Sequence, residues 1–326
     1  MATRTEQEIM KNWKYDGPPL VSVVCITYNH ELYIRDALEG FLMQETDFPF
    51  EIIIHDDAST DRTAEIVQEY ANQYPNLILP ILQTENQYSK GKKASAICFA
   101  RARGEYVAIC EGDDYWIHPR KIQTQVESLR ERKGCELSFH PAFERNEATG
   151  REKLIARHAK QDKVFSTSEV IRGGGGFCPT ASLFLKRSVL ENMPEWFYKK
   201  APVGDYFWQV YGSLKGGANY QNEPMCVYRV HTNGSWSSRM FLLEDYLRFN
   251  TSFIKALDDM NKNLNFFYSK EISFHKSLVL YSLAKSFLKA KNINMFKKTI
   301  SRSWKEKPFA SIPQSFLFLL HICLFY

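Results

Sequence analysis

The sequence predicts an α/β fold: a mostly parallel sheet flanked by helices, followed by a helical C-terminal extension. Three observations carry that expectation. Runs rich in β-branched residues alternate with segments of helical apolar spacing from Leu20 to about Leu129, the pattern of parallel strands joined by helices. Polar clusters stand at the carboxyl ends of three of those strands, the edge where ligands bind in such sheets. Beyond Arg239 the chain turns basic and helical.

In order, residues 1–19 are expected to form an arm with a short helix, ended by Pro18-Pro19. Leu20 to Thr27 is the first strand and stops at Tyr28-Asn29-His30. Ile34, Leu38, Phe41 and Leu42 follow at helical spacing. Glu51 to His55 is the second strand and ends in Asp56-Asp57-Ala58-Ser59-Thr60-Asp61. Ser59 or Thr60 is expected to cap the helix carrying Ala64, Val67 and Ala71. Leu77 to Leu82 is a third strand, Lys93 to Arg101 a helix, and Tyr106 to Cys110 a fourth strand. The helix after Pro119 sets Ile122, Val126 and Leu129 on one face.

The organising stretch is Glu111-Gly112-Asp113-Asp114-Tyr115-Trp116. Three carboxylates in four residues repel one another, and burying them is costly without a cation. Hard oxygen ligands of this kind suit Mg²⁺ or Mn²⁺, whereas the plain alternative is an acidic loop capping the next helix. No glycine-rich phosphate loop follows the first strand, which disfavours dinucleotide oxidoreductases and P-loop enzymes.

The middle of the chain is less regular. Gly173 to Gly176 reads either as a surface loop or as a loop whose backbone approaches a ligand, and it leads into an expected strand from Thr180 to Leu185. Asp205 opens an apolar helix with Phe207, Trp208 and Tyr211, and by residue type it is either a cap or a general base. Arg229 and His231 are expected to share one strand face, with His231 either structural or a metal or phosphate ligand.

The 326 residues carry a formal charge of +5. Residues 241–326 hold thirteen Lys/Arg against six Asp/Glu, a difference of +7, which leaves −2 for the first 240. The last stretch, Phe296 to Tyr326, sets basic residues ahead of Phe316-Leu317-Phe318-Leu319-Leu320. It is too short and interrupted to span a bilayer, but suits an anionic membrane surface; the rival is packing on the body or on a second copy as a homo-oligomer. The seven Cys show no paired metal-ligand spacing and are expected to be reduced. With a polar start and no leader pattern, a cytoplasmic location is expected, peripheral on the inner membrane, with no nucleic-acid partner.

Taken together, Val21 to Asn29, Asp56 to Asp61, Glu111 to Asp114, Asp205 and Tyr228 to His231 resemble the motifs of glycosyltransferase family 2, the inverting enzymes of GT-A fold with a Rossmann-like sheet. The resemblance spans about Leu20 to Ser235 and implies a surface-polysaccharide type of enzyme. It implies a domain at 20–238, with a nucleotide-sugar half at about 20–118 and an acceptor half at about 119–238; residues 239–326 lie outside it.

It also implies Mn²⁺ or Mg²⁺ and transfer of a hexosyl or N-acetylhexosaminyl group from a nucleotide-diphosphate sugar, foremost a UDP-sugar, to a glycan or lipid-linked glycan. Carried over by position, Tyr28 and Asp57 are similar to the base-binding pair, Thr27 and Asn29 to further nucleotide-binding positions, and Asp113 to the residue meeting ribose and metal. Asp114 is similar to the principal metal ligand, and His231 to a position that helps hold the metal and diphosphate. Asp205 is similar to the catalytic base, although a Glu-Asp pair is common there and this chain has Gly204-Asp205. Lys93 is expected near phosphate, with Glu111, Arg229 and Trp116 as further site candidates. The competing readings are a sugar nucleotidyltransferase, which should show a basic glycine-rich loop after its first strand, and a non-catalytic sugar-binding or scaffold protein.

Overall fold

A computed structural model describes residues 4–232, 240 and 242–325. The expected boundary at 238/239, the Asn233-Gly234-Ser235 stretch and Tyr326 lie outside the described residues. The chain divides into two compact units: Met1–Thr167 with Gly175–Met193 and Gly204–Ser238, and Ser168–Gly174 with Pro194–Val203 and Arg239–Tyr326.

The first unit opens with α1 (Glu6–Met10), held by a reciprocal capping box in which Thr5 and Glu8 satisfy each other's backbone N–H. Then follow β1 (Val21–Thr27), α2 (Ile34–Leu42), β2 (Phe50–Asp56), α3 (Thr63–Gln73), β3 (Ile78–Leu82), α4 (Ala94–Phe99), β4 (Tyr106–Glu111), β5 (Tyr115–Trp116) and α5 (Lys121–Glu131). Next come β6 (Leu137–Phe139), β7 (Ala142–Asn146), β8 (Glu152–Ile155), β9 (Lys163–Phe165) and α6 (Thr167–Gly173). A 3₁₀ turn at Thr180–Ser182 precedes β10 (Phe184–Lys186) and α7 (Arg187–Glu191). The helices α6, from Ser168 on, and α8 (Glu195–Lys200) group with the second unit, whereas α9 (Asp205–Ser213), β11 (Ala218–Tyr220) and β12 (Cys226–Val230) belong to the first.

An eight-stranded sheet runs β3-β2-β1-β4-β10-β6-β11-β9. β1 lies parallel between β2 and β4, so Thr27 registers with Asp56 and Ile26 with Glu111. That register places three chemically loaded strand ends side by side. Val23, Ile52, Ile54 and Ala108 join Leu38, Phe41, Val67 and Val126 in a core with no solvent exposure, as expected of a sheet covered on its faces. A second sheet, β5-β12-β7-β8, holds the chain that follows the acidic cluster against β12.

Several local expectations are corrected. Ser59 and Thr60 do not cap α3, which begins at Thr63; the Asp61 carboxylate instead accepts from the Thr63 N–H at 2.9 Å. The expected strand from Thr180 is interrupted because Pro179, whose carbonyl accepts from Ser182, starts the 3₁₀ turn. Arg229 and His231 do not share a strand face: β12 ends at Val230, and His231 has φ +64°, so Arg229 is buried and His231 exposed. In the glycine run, Gly174 (φ +75°) is approached by the His275 ring, 2.6 Å from where a Cβ would stand. The six described cysteines, Cys25, Cys98, Cys110, Cys135, Cys178 and Cys226, are free and buried.

The second unit's helices are α10 (Leu243–Asn263), α11 (Ser269–Lys289), α12 (Ile293–Glu306) and α13 (Ile312–Phe325). No described helix is long and apolar enough to cross a membrane.

Candidate active site

The loops leaving β1 and β2 are laced together. Asn29 (φ +56°) and Ala58 (φ +61°) reverse the chain just past each strand, and asparagine tolerates that left-handed backbone better than most residues. The Asn29 N–H donates to Ser59 Oγ at 2.9 Å, and Asn29 Oδ1 accepts from the Thr60 N–H at 2.8 Å. Asn29 is thus occupied in fixing the strand ends.

Tyr28 is exposed at the end of β1. Asp57 is buried, and its two oxygens accept the Gln87 N–H (2.7 Å) and the Tyr88 N–H (3.0 Å), while Asn86 Nδ2 donates to the Asp57 carbonyl. Each carboxylate oxygen keeps a second lone pair. This wrapping brings Tyr88, an exposed ring, into the neighbourhood of Asp57.

The acidic cluster follows β4 in a tight turn. Gly112 is required there: a Cβ would lie 2.6 Å from Thr27 Oγ1 and 2.7 Å from Thr27 Cβ. Asp113 accepts from Thr232 Oγ1 at 3.0 Å, and His30 Nε2 stands 3.9 Å from the same carboxylate oxygen. Asp114 is fully buried, and its Oδ1 accepts from the Arg229 N–H at 2.8 Å. Asp114 Oδ2, Thr27 Oγ1 and His30 Nδ1 are buried without a hydrogen-bond partner among the described residues. Buried polar atoms are seldom left so unless an ion, water or ligand completes them.

Arg229 clamps the cluster from behind. Its Nη1 donates to the Asp113 carbonyl (2.9 Å), its Nε to Glu147 (3.0 Å) and its Nη2 to Asp36. The guanidinium lies over the Tyr115 ring at 4.3 Å and the Tyr33 ring at 5.2 Å. A side chain so fully engaged positions the loop.

Asp205 is the first residue of α9. Its Oδ1 accepts from the Tyr206 N–H at 2.7 Å, and Thr180 Oγ1 lies 3.4 Å from Oδ2. Gly204 is forced: a Cβ there would fall 2.2 Å from the Trp208 ring, so that indole occupies the space an acidic side chain would need.

The electrostatics tie these pieces together. Loss of hydration is the main reason the Glu111 carboxyl is pushed up to about 8, with repulsion from Asp113 and Asp205 adding to it. Glu111 still reaches solvent, so it stands at an open edge ringed by protein. Burial, then Asp113 and Glu111, push Asp114 far above the usual carboxylate range, against the opposing Arg229 N–H. Burial also raises Asp205, opposed by the Tyr206 N–H, Thr180 and the Lys93 charge. Lys93, at the N-terminus of α4, is lowered by burial to about 8, with Asp205 working the other way. The Tyr228 hydroxyl is raised by burial and then by Asp114, Glu111, Asp113 and Asp205. One phenol therefore feels all four carboxylates.

Sequence reasoning passed over Tyr228, Tyr88, His30 and the clamping role of Arg229. Only the Tyr228-Arg229 pair carried a signal, as a polar insertion in an apolar strand. Trp116, a sequence candidate, is corrected to a core residue: it is 1% exposed, donates its indole N–H to the Ala181 carbonyl and packs edge-on to Phe41. His231 is exposed at the end of β12. Among the described residues, no three His, Cys, Asp or Glu side chains are arranged to hold a metal ion. A separate hollow of about 420 Å³ in the second unit is lined by Lys200, Ser252, Lys255, Asp258, Asp259 and Lys262, and contains no predicted site residue.

The α/β architecture is that of a GT-A glycosyltransferase, and structural comparison agrees. The crystal structure of Staphylococcus aureus TarS 1–349 in complex with UDP-GlcNAc superposes with a TM-score of 0.61 at 16% identity, covering 91% of this chain and 89% of that one. The mannosyltransferase PcManGT of Pyrobaculum calidifontis, in complex with GDP-Man and Mn²⁺, gives 0.50 at 18% identity, with 94% and 90% covered. The family model for glycosyl transferase family 2 matches residues 22–193, more than half of the chain, and the chain belongs to that family.

Among sequence relatives, the uncharacterized protein Rv1520 of Mycobacterium tuberculosis is 36% identical over 222 residues, 67% of this chain and 61% of that protein. The poly(ribitol-phosphate) beta-N-acetylglucosaminyltransferase TarS of S. aureus is 38% identical over 97 residues, 29% of this chain and 16% of that protein. The match thus spans less than two thirds of these relatives' own length.

Proposed function

We propose that the chain is an inverting glycosyltransferase that moves a sugar from a nucleotide-diphosphate sugar, foremost a UDP-sugar, to a glycan hydroxyl in surface-polysaccharide synthesis. The observation that carries this reading is the acidic turn after β4, set beside the ends of β1 and β2, where Asp114 is fully buried with its Oδ2 unmatched. Family membership and the substrate class printed for TarS support it. The acceptor class that best suits the basic, apolar C-terminal region is a lipid-linked glycan at the cytoplasmic face of a membrane.

Tyr28 and Asp57, with Thr27 and Asn29 shaping the turn, receive the base at the carboxyl edge of β1 and β2. Asp113 faces the ribose. Asp205 takes the proton from the attacking hydroxyl, so that displacement proceeds on one face and inverts the anomeric centre. Its burial keeps it basic enough to accept that proton, and Lys93 limits how far its affinity rises. Asp114, with Asp113 and His231, would hold Mn²⁺ or Mg²⁺. The unmatched Asp114 Oδ2 fits a cation, whose coordination the donor's own phosphates would complete. When bound, the cation neutralises charge on the departing diphosphate. PcManGT, a similar fold, binds GDP-Man with Mn²⁺. No glycine-rich loop follows β1, so nothing favours the nucleotidyltransferase reading.

The test is release of nucleoside diphosphate from a panel of UDP- and GDP-sugars, with Asp205→Asn beside the unaltered chain. One donor should turn over, and the variant should bind that donor normally while losing 10²- to 10⁴-fold in rate. A variant that keeps its turnover removes Asp205 from the chemistry.

A further inference from the structure

The helix α13 is turned inside out relative to an ordinary surface helix. Gln314 is fully buried. Its Nε2 shares its two N–H donors among Ser277 Oγ (2.9 Å), Ser303 Oγ (3.0 Å) and the carbonyls of Ser303 (3.2 Å) and Lys307 (3.1 Å), and its Oε1 accepts from the Ala310 N–H (2.9 Å). On the same face Phe318 stacks on Trp304 at 4.3 Å, and His321 meets Ser301 at 3.2 Å. Gln314, Leu317, Phe318 and His321 follow the i, i+3, i+4, i+7 rhythm of one helix face. The opposite face carries Ile312 (88% exposed), Phe316 (67%), Leu319 (54%) and Ile322 (41%). The buried amide opposes any roll that would hide this ridge, because the roll would part the Gln314 side chain from its partners.

The segment that carries the ridge is basic. From Lys291 to Ile322 the sole acidic residue is Glu306, and it is ion-paired with Lys276 at 2.7 Å. Lys298 and Lys305, both exposed, stand one turn either side of Ser301, which touches α13. An exposed apolar ridge that follows a lysine-bearing helix suits an anionic interface. A two-fold pairing of copies through the ridge would bring two basic segments together, since such contacts are self-complementary.

We propose that this unit docks on an anionic bilayer surface, with Ile312, Phe316, Leu319 and Ile322 entering the acyl boundary and Lys298 and Lys305 meeting headgroup phosphates. The inference stands apart from the proposed transfer reaction, because vesicle binding needs neither donor nor catalysis.

The experiment floats the full chain with vesicles of phosphatidylcholine alone and with 30% phosphatidylglycerol. Binding is expected to the anionic vesicles and to fall at high salt. Lys298→Gln/Lys305→Gln should weaken it about thirty-fold, and Ile312→Ser/Phe316→Ser at least about ten-fold. All four positions are exposed, so unchanged far-UV circular dichroism and melting confirm that both variants fold. Equal binding by all three forms overturns the proposal. So does a dimer in sedimentation that Ile312→Ser/Phe316→Ser dissolves with no vesicle binding by the unaltered chain, which would make a second copy the occupant.

Discussion

Arg229→Lys keeps a positive charge but removes the planar fork. Lysine has one nitrogen and can replace one of the three contacts that Arg229 makes to the Asp113 carbonyl, Glu147 and Asp36. Asp36 is half exposed, so its ion pair counts for little. The buried bond to the Asp113 carbonyl is worth about 1 kcal/mol, the bond to Glu147 about as much, and the loss of stacking between Tyr33 and Tyr115 about 1 kcal/mol more. With lysine keeping one of the two buried bonds, the sum is about 2 kcal/mol, roughly thirty-fold in the folding equilibrium. The Arg229 N–H bond to Asp114 belongs to the backbone and survives the change, so the loss reports the side chain alone. Urea unfolding of the first unit, followed by tryptophan fluorescence, should show a lower midpoint with an unchanged slope. Nucleotide affinity should fall with it, because the Asp113 carbonyl loses its anchor. A midpoint shift worth less than about 0.5 kcal/mol would refute the view that this guanidinium holds the acidic turn in place.

Other outcomes follow from the same geometry. Gly112→Ala drives a methyl into Thr27; a destabilisation of about 1–3 kcal/mol in thermal melts is expected, together with loss of donor turnover. Asp114→Ala should abolish the metal-dependent part of nucleotide binding in calorimetry, and equal heats with and without Mn²⁺ would remove Asp114 from cation binding. Lys121 is fully buried over the Trp116 ring, and burial lowers it to about 8. The folded state then binds fewer protons than the unfolded chain between about 8 and 10.5, so Lys121 adds stability as pH rises through that window and withholds it below. Lys121→Met, which keeps the volume, should flatten that rise and stabilise the protein near neutral pH by up to about 3 kcal/mol; an unchanged pH–stability curve counts against the assignment.

The parallel strands from Val21 to Glu111 were legible because each is a short apolar run closed by a polar cluster, and their order left one arrangement for the strand ends. The carboxylates stood out as charged residues at those ends. What the sequence hid depends on contacts across long separations. Arg229 reads as one more basic residue until β12 pairs beside β5 and carries it behind Asp113 and Asp114. Trp116 looked like a ring beside a site because it follows the carboxylates directly, yet β5 turns it inward onto Phe41. The cap expected at Ser59 was misplaced because its side chain found a partner in the turn itself, the Asp56 carboxylate. Gly204 looked like a departure from the resembling motif, and its cause, the Trp208 ring four residues on, appears only once α9 is wound.

The shut-away thiols turn the protein into its own stopwatch. Cys25, Cys110 and Cys178 sit in surroundings that hold each far above ordinary thiol acidity, and Cys98 is pushed up to about 12, so the reactive thiolate is scarce while the sheet is closed. An alkylating reagent should modify these sites only as fast as the strands part. Mass spectrometry of the tagged peptides would then time the opening of β1 and β4 separately, with no label to introduce.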